Sequence, residues 1–226
     1  MRLIIVGAGG FAAEINDWYL SNELVLYDRE KSGHDYKQTI IREPIDKIIY
    51  LVESKFSDDH DKSLKPKILE KFSLLPNDRV VVAINNVETR HRITTQLSKR
   101  KSIKHVTISH KLASISDQSS LGNGCIVGCF ARIGPMVNVG HFSVINNFCS
   151  LGNRCKIGTC TSLASHVDIH DSAIVGDGVF LGSHSIVAAK KSIENNSMIG
   201  ANCFVARNIS ENTVVVSQRT HKIQRG

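Results

Sequence analysis

The sequence lacks any apolar run long enough to cross a membrane, and its longest apolar stretches have the length of single strands. The first residues also do not show the pattern of a secretory leader. Met1 and Arg2 lead directly into the apolar residues 3–6, and no small-residue cleavage site follows them. These two absences argue against membrane insertion and against export, so a cytoplasmic protein is expected.

A concentrated patch of positive charge is also missing. The 226 residues carry a net charge of +7, which is spread almost evenly. Residues 1–108 hold 18 basic and 15 acidic side chains, and residues 109–226 hold 10 and 6. A nucleic-acid-binding protein usually concentrates its surplus on one face, so no nucleic-acid partner is expected. The mild positive bias suits small phosphorylated ligands such as coenzyme A and sugar nucleotides.

The six cysteines do not indicate a disulfide framework or a metal site. All of them lie between Cys125 and Cys203, inside the repeat described next, and four occupy its compact positions. Cysteine at such positions behaves as a small apolar residue. Reduced thiols and no bound metal are therefore expected.

A strict six-residue repeat occupies the second half of the chain. Its leading position is always aliphatic, the next residue is usually Gly or Ala, and the residue four places on is compact. Neither the helical period of about 3.6 residues nor the strand period of about 2 produces a strict six. The leading residues are Ile115, Leu121, Val127, Ile133, Val139, Ile145, Leu151, Ile157, Leu163, Ile169, Val175, Leu181, Val187, Ile193, Ile199 and Val205.

This repeat predicts a β-solenoid in which each hexad forms one short strand and a turn. The aliphatic side chain fills a narrow core, and the Gly or Ala that follows it fits a crowded corner. The pattern resembles that of the hexapeptide-repeat acyltransferases. That resemblance implies a left-handed parallel β-helix with three hexads per coil, so the sixteen hexads would make about five coils.

The first part of the chain has the pattern of a small Rossmann-like βαβ domain. Residues 3–6 predict a buried strand, Gly7-Ala8-Gly9-Gly10 a turn, and the residues after it a helix. A glycine turn at a helix start can bind phosphate, although G-x-G-G is shorter than the full dinucleotide fingerprint and is equally compatible with a structural turn. Residues 24–27 predict a second strand ending at Asp28, which can bind a ribose hydroxyl or be a solvated strand end.

Further strands are predicted at residues 45–52 and 79–84, and further helices at 62–75 and 87–97. The whole pattern divides the chain into a Rossmann-like domain over residues 1–108 and a β-helix domain over residues 109–226. The predicted fold class is α/β plus β-solenoid.

The combination of both halves is more specific than either half. Gly7–Gly10, the strand ending in Ala83-Ile84-Asn85 and the hexad repeat together resemble one family of two-domain sugar acetyltransferases. That family contains sialic acid O-acetyltransferases and bacillosamine-pathway N-acetyltransferases. The resemblance implies that the N-terminal domain holds the nucleotide of a sugar substrate. It also implies a homotrimer of β-helices, with acetyl-CoA in the groove between neighbouring β-helices.

The resemblance assigns roles by position. Gly9, Gly10 and Phe11 would face the nucleotide phosphates. Asp28 would lie near the base or ribose, followed by Arg29 where the family often has a second acidic residue. The positions assigned to acetyl-CoA are Ser162, Ser183 and Ala201 in the groove. The candidates for contact with its phosphates are Lys190, Lys191, Arg207 or Lys222, each of which is also explained as a surface charge that aids solubility.

The chain departs from the family at the catalytic base. Ile145-Asn146 and Ile157-Gly158 match the flanks of the family's motif, but Asn153 stands at the position of its histidine. The acidic partner is replaced by Arg154. Asparagine cannot accept a proton at neutral pH, so the catalytic assignment does not transfer unchanged.

Two histidines are alternative bases. His166 and His184 belong to a series with Phe130, Phe148 and Asn202 at a spacing of eighteen residues. With three hexads per coil this series predicts one ladder, with rungs about 4.8 Å apart. The ladder is also explained as external stacking that only supports the fold.

These observations predict an acetyltransferase that moves an acetyl group from acetyl-CoA to the amino group of a nucleotide-linked sugar, a precursor of surface glycans. No metal cofactor is expected. An O-acetyltransferase with a relocated histidine base is one alternative, and an inactive trimeric scaffold is another. A zinc-dependent carbonic anhydrase built on the same β-helix is disfavoured, because His141, His166 and His170 lack the required spacing.

Overall fold

The computed structural model describes residues 1–32, 35–41, 43–54, 62–100 and 103–217. It has an N-terminal α/β part followed by a β-helix. The elements up to the start of the β-helix are β1 (Arg2–Val6), α1 (Gly10–Leu20), β2 (Leu24–Ser32), β3 (Asp35–Ile40), β4 (Lys47–Val52), β5 (Lys67–Ile68), β6 (Arg79–Val82), α2 (Val87–Ser98), β7 (Lys104–His105) and β8 (Thr107–His110).

A five-stranded parallel sheet forms the α/β part, with the strand order β5-β4-β1-β6-β7. Side chains of β1 alternate between its two faces. Leu3 and Ile5 pack in a cluster with Ile15 of α1. Ile4 packs in a second cluster with residues of α2. The helix predicted at residues 62–75 is wrong: the described part of that stretch contains two 3₁₀ turns, Lys62–Leu64 and Leu69–Lys71, with β5 between them.

Strand β2 does not join this parallel sheet. It pairs antiparallel with β3 on one side and with β8 on the other. The sequence correctly predicts a strand at residues 24–27, but its expected place in the βαβ domain is wrong. Asp28 instead lies 3.7 Å from Arg79 in an ion pair. Because Arg79 begins β6, Asp28 lies at the edge of the sheet opposite the carboxyl ends of the strands.

The β-helix has the predicted three-sided form, with short parallel strands stacked on three faces. All sixteen leading residues of the hexad repeat lie in these strands. Face A contains β8, β11 (Ile126–Val127), β14 (Val144–Ile145), β17 (Ser162–Leu163), β20 (Phe180–Leu181), β23 (Met198–Ile199) and β25 (Val214–Val215). Face B contains β9 (Ser114–Ile115), β12 (Arg132–Ile133), β15 (Ser150–Leu151), β18 (Asp168–Ile169), β21 (Ile186–Val187) and β24 (Phe204–Val205). Face C contains β10 (Ser120–Leu121), β13 (Asn138–Val139), β16 (Lys156–Ile157), β19 (Ile174–Val175) and β22 (Ser192–Ile193).

Stacking of the coils explains the composition of the repeat. The second residue of each two-residue strand points into a continuous core that also contains Cys125, Cys149 and Cys155. At the corners the backbones of successive coils approach closely. A Cβ on Gly158 would overlap the backbone of Gly176 in the next coil. Only a hydrogen fits there, as the predicted crowded corner requires.

The α/β part covers the beginning of face A. Ile108, Ile126 and Val144 point outward from the β-helix and pack in one cluster with Trp18 and Tyr50. Strand β8 spans the predicted boundary at residues 108 and 109 and pairs with both β2 and β11. The two parts therefore share a hydrophobic core, and the division into two domains at that boundary stays a prediction.

Candidate functional site

A cavity of about 400 Å³ opens at the carboxyl ends of the parallel strands. This is the edge at which open α/β sheets bind their ligands. The ends of three neighbouring strands and the residues that follow them form it: Leu51 to Glu53 at the end of β4, Val6 to Phe11 at the end of β1, and Ala83 to Asn86 after β6. Its size is near the lower end of the range of about 300–1,000 Å³ that is typical of ligand pockets.

The glycine turn is shaped to leave this cavity open. Gly7 has φ +132°, and a Cβ there would overlap the carbonyl oxygen of Ala83. Gly9 and Gly10, in contrast, have no atom within 4 Å of the place a Cβ would take. Helix α1 begins at Gly10 without a side-chain cap. Its first backbone N–H groups and its dipole therefore favour an anion in the cavity.

Glu53 is the acidic residue that the structure brings to this cavity. It follows β4, the strand beside β1, and this is the position at which an acidic side chain can bind a ribose. Its two carboxylate oxygens accept hydrogen bonds of 2.7 and 2.6 Å from Arg92. The structure does not bring Asp28, the residue predicted for this role, to the cavity, because Asp28 pairs with Arg79 at the opposite edge of the sheet. The side chain of Arg29 lies outside what the structure describes.

A buried arginine connects the cavity to the β-helix. Arg90 of α2 is 1% exposed. Its guanidinium donates hydrogen bonds to the carbonyl oxygens of Ile84 (2.6 Å) and Asn85 (3.1 Å), which lie in the cavity wall. It also donates to the carbonyl oxygens of Phe142 and Cys160, both at 2.9 Å, in the β-helix. The loop between β6 and α2 is thus tied to two coils by one side chain.

The acceptors of these hydrogen bonds from Arg90 are all neutral groups. Burial lowers the pKa of its guanidinium to about 10, so the group still carries its charge at neutral pH. Carbonyl dipoles satisfy its donors, and the hydroxyl oxygen of Ser162 accepts a further bond of 2.6 Å. Hydrogen bonds to a charged group are stronger than neutral ones.

Ser162, which is predicted to line the acetyl-CoA groove, takes part in this contact with Arg90. Its side chain lies on face A, is 4% exposed and is enclosed by Arg90 and the carbonyl oxygen of Asn85. Within a single chain the Ser162 side chain therefore does not face open space, and its place beside acetyl-CoA stays a prediction. Ser183 and Ala201 are at the corner between faces A and B, whereas Lys190 and Lys191 are at the corner between faces B and C. Lys222 lies outside the described residues.

The predicted ladder is present at the corner between faces A and B. The ring centroids of Phe130 and Phe148 are 5.3 Å apart, those of Phe148 and His166 4.8 Å, and those of His166 and His184 4.5 Å. The last two pairs are within 7° of parallel. Asn202 continues the series by donating its backbone N–H to Ser183. Four stacked rings thus form an exposed column.

Asn153 lies at the corner between faces B and C. Its backbone N–H donates to the carboxylate of Asp171, one coil further on, at 2.8 Å. Neither Asn153 nor the two stacked histidines contribute to the cavity at the parallel sheet within one chain. A single chain therefore does not bring the predicted catalytic residues to the predicted nucleotide site.

The described residues contain no cluster of three or more His, Cys, Asp or Glu side chains that could hold a metal ion. No helix in the described ranges is long and apolar enough to cross a membrane. The cysteines are all free, and burial raises the pKa of the Cys125 thiol to about 11. A thiol in this state is a poor nucleophile and metal ligand at neutral pH.

Solved structures with the same architecture cover nearly the whole chain. The acetyltransferase domain of PglB from Neisseria gonorrhoeae FA1090 has a TM-score of 0.76 and 15% identity, over 94% of this chain and 95% of that one. WeeI from Acinetobacter baumannii AYE has a TM-score of 0.76 and 15% identity, over 96% and 97%. A histidine-to-asparagine mutant of perosamine N-acetyltransferase from Caulobacter crescentus, in complex with CoA and GDP-perosamine, has a TM-score of 0.71 and 18% identity, over 95% and 92%.

These likenesses establish the fold, a Rossmann-like part joined to a left-handed parallel β-helix. The sequence matches no family model and no curated protein sequence at a significant level.

Removing the Arg90 guanidinium tests its structural role. We expect Arg90→Met to lower the free energy of unfolding by about 3 kcal/mol, because buried carbonyl oxygens left without donors cost about 1–3 kcal/mol each while the buried charge is relieved. Denaturant titration measures the change. Arg100→Met, at an exposed position just after α2, is the control and should stay within about 0.5 kcal/mol of wild type. Equal stability of both variants would contradict the role given to Arg90.

A charge at Gly10 tests the anion site. Gly10→Asp places a carboxylate in open space at the start of α1, where it favours the helix but repels a phosphate. We expect nucleoside diphosphates to bind roughly tenfold or more weakly than to wild type, as measured by calorimetry. Gly10→Asn has the same size without the charge and should bind better than the aspartate variant. If the aspartate variant binds as well as wild type, Gly10 is only a turn residue.

Proposed function

We propose that the protein is an acetyltransferase that transfers the acetyl group of acetyl-CoA to the amino group of a nucleotide-linked sugar. One observation carries the proposal. Both parts of the chain, in one arrangement, match a perosamine N-acetyltransferase bound to CoA and GDP-perosamine over 95% of this chain. In this proposal the protein works in the cytoplasm, on precursors of surface glycans.

The cavity supports the nucleotide half of the proposal. Open space at Gly9 and Gly10, with Phe11 beside them, can admit a diphosphate close to the start of α1. Glu53 lines this cavity at the end of β4, where an acidic side chain can accept a hydrogen bond from a ribose hydroxyl. The nucleotide would then lie across the ends of β4 and β1.

An amine acceptor fits a chain with asparagine at position 153. A general base typically contributes about 10²–10⁴-fold. A sugar hydroxyl needs this help to attack a thioester, because its proton is hard to remove at neutral pH. The neutral fraction of a sugar amine already has a free lone pair, and its proton can leave after the attack. Asn153 would orient the amine or a water molecule in this scheme.

The exposed column of rings supports a homotrimer. Phe130 and Phe148 are 53% and 49% exposed, although large apolar side chains are normally buried. The β-helix of a second chain would cover these rings. The corner between faces B and C of one chain, which carries Asn153, could then approach the nucleotide bound to a neighbouring chain. Acetyl-CoA would lie in the resulting groove beside Ser183 and Ala201, with Lys190 and Lys191 near its phosphates.

The acceptor can be tested with matched nucleotide sugars that differ only in an amino or a hydroxyl group. We expect acetylation of the amino sugars to exceed that of the hydroxy sugars about a hundredfold or more. Asn153→Ala, His166→Ala and His184→Ala should each change kcat far less than this. A hundredfold loss in either histidine variant would support the alternative with a relocated base. Activity on hydroxy sugars alone would exclude the amine, and no activity with either set would favour the scaffold.

Light scattering tests the assembly. A trimer of the 24.9 kDa chain has a mass of about 75 kDa. Phe148→Lys should lower this mass, because a lysine in the covered column would bury a charge. Ile174→Lys on face C, which is 47% exposed in wild type, is the matched control and should leave the mass unchanged. A wild-type monomer at micromolar concentration would refute the trimer.

A further inference from the structure

A second cavity adjoins the first. It is a groove of about 710 Å³ between the start of α2 and the later strands of face A. Asn85 and Asn86 line both cavities. A ligand bound at the parallel sheet can therefore continue over these two residues into the groove.

The order of the strands indicates which end of such a ligand lies at the groove. Across the sheet β4, β1 and β6 are neighbours. Glu53 at the end of β4 suits a ribose, and the glycine turn after β1 suits a diphosphate. The group on the far side of the diphosphate then lies at the end of β6, where Asn85 and Asn86 lead into the groove. In a nucleotide sugar that group is the sugar.

The groove has the chemistry of an amino-sugar site. Phe180 and Met198 of face A form its apolar floor, and Met198 is 50% exposed. Its titratable lining residues are Glu88, His91 and Asp177. The two carboxylates attract a protonated amine, and the ring of Phe180 offers an apolar surface to the sugar. His91 is the one imidazole among the described residues that line either cavity.

Helix α2 holds His91 towards the groove. The helix begins at Val87, and the Asn86 side chain accepts a hydrogen bond from the Thr89 N–H at this end. Its buried side includes Arg90 and Ile93. Val87 and His91 are one turn apart and both line the groove. The hydrogen bonds of Arg90 to the β-helix therefore also set the position of His91 relative to face A.

We propose that this groove binds the amino sugar of the substrate and that His91 accepts the proton that the nitrogen loses after its attack, an inference that rests on the proposed function. The bound ammonium group first loses one proton to water, and the neutral amine nitrogen then attacks the carbonyl carbon of the acyl thioester. A C–N bond forms and the C–S bond breaks, with CoA leaving as its thiolate. The imidazole of His91 accepts the proton released by the nitrogen and passes it to solvent or to the thiolate.

Binding measurements test the position of the sugar without requiring turnover. Calorimetry compares GDP and UDP with GDP- and UDP-linked amino hexoses. Met198→Trp narrows the groove. We expect this variant to bind the sugar conjugates roughly tenfold or more weakly than wild type, while its affinity for the diphosphates changes less than about threefold. Phe204→Trp, on the exposed face B, is the control. If the Met198→Trp and Phe204→Trp variants bind the sugar conjugates with equal affinity, the groove is not the sugar site. Binding of no nucleotide by wild type would remove the proposed function and this inference together.

Kinetics test the role of His91. We expect His91→Ala to lower kcat about a hundredfold with little change in KM, because the proton lost after the attack would have no positioned acceptor, and a positioned proton transfer contributes about 10²–10⁴-fold. Added imidazole should restore part of the rate, which it would not do for a packing defect. Gln96→Ala, an exposed change on the same helix, is the control for folding. If wild type acetylates amino sugars and His91→Ala does so equally well, the proposed function stands and the role of His91 is refuted. A loss that imidazole does not rescue also refutes it.

Discussion

The burial of one guanidinium determines how the two parts of this protein are arranged. Arg90 can remain charged inside the molecule only if carbonyl groups replace its lost water. Those carbonyls come from the loop after β6 and from two coils of the β-helix. Neither part alone satisfies the group, so the contact specifies one orientation of the cavity relative to face A.

The hydrophobic contact between the parts has less geometric specificity. Ile108, Ile126 and Val144 join the core beneath α1, and apolar burial is roughly proportional to area and not to direction. The hydrogen bonds of Arg90 are directional, so they specify the relative orientation of the two parts, which apolar burial alone does not. Contact between the two parts also has an unfavourable term. Both ring nitrogens of His105 are buried without hydrogen-bond partners, which costs free energy. Burial lowers the pKa of its imidazole to about 4, so the ring packs against Phe142 in its neutral form.

The division of labour between the two parts follows from their geometry. The parallel sheet offers a strand edge at which a nucleotide can lie in one direction. The β-helix offers flat faces and repeated corners that suit packing against other chains. The groove beside α2 is the place where both parts meet the same ligand. A transferase for a nucleotide sugar needs this kind of site, because it must bind the nucleotide of its substrate and also position the sugar that reacts.

The sequence by itself determined the β-helix and the glycine turn. The hexad repeat is a local pattern that recurs sixteen times, so every hexad indicates the same strand and turn. All sixteen leading residues lie in strands. The strand from Arg79 and the helix from Val87 were also predictable, because the strand has an unbroken apolar run and the helix has apolar residues at helical spacing. Residues 62–75 had a weaker pattern, and the sequence did not predict their short 3₁₀ turns.

Only the tertiary structure decided which residues meet at the site. Asp28 and Glu53 each follow a predicted strand, and nothing local shows which strand pairs with β1. That choice depends on pairing between distant segments: β2 pairs with β8, and β4 takes the place beside β1. Ser162 is hidden for the same reason, because the residue that covers it, Arg90, lies 72 positions away along the chain. The repeat predicts that a side chain points outward, but the fold of another segment decides whether solvent reaches it.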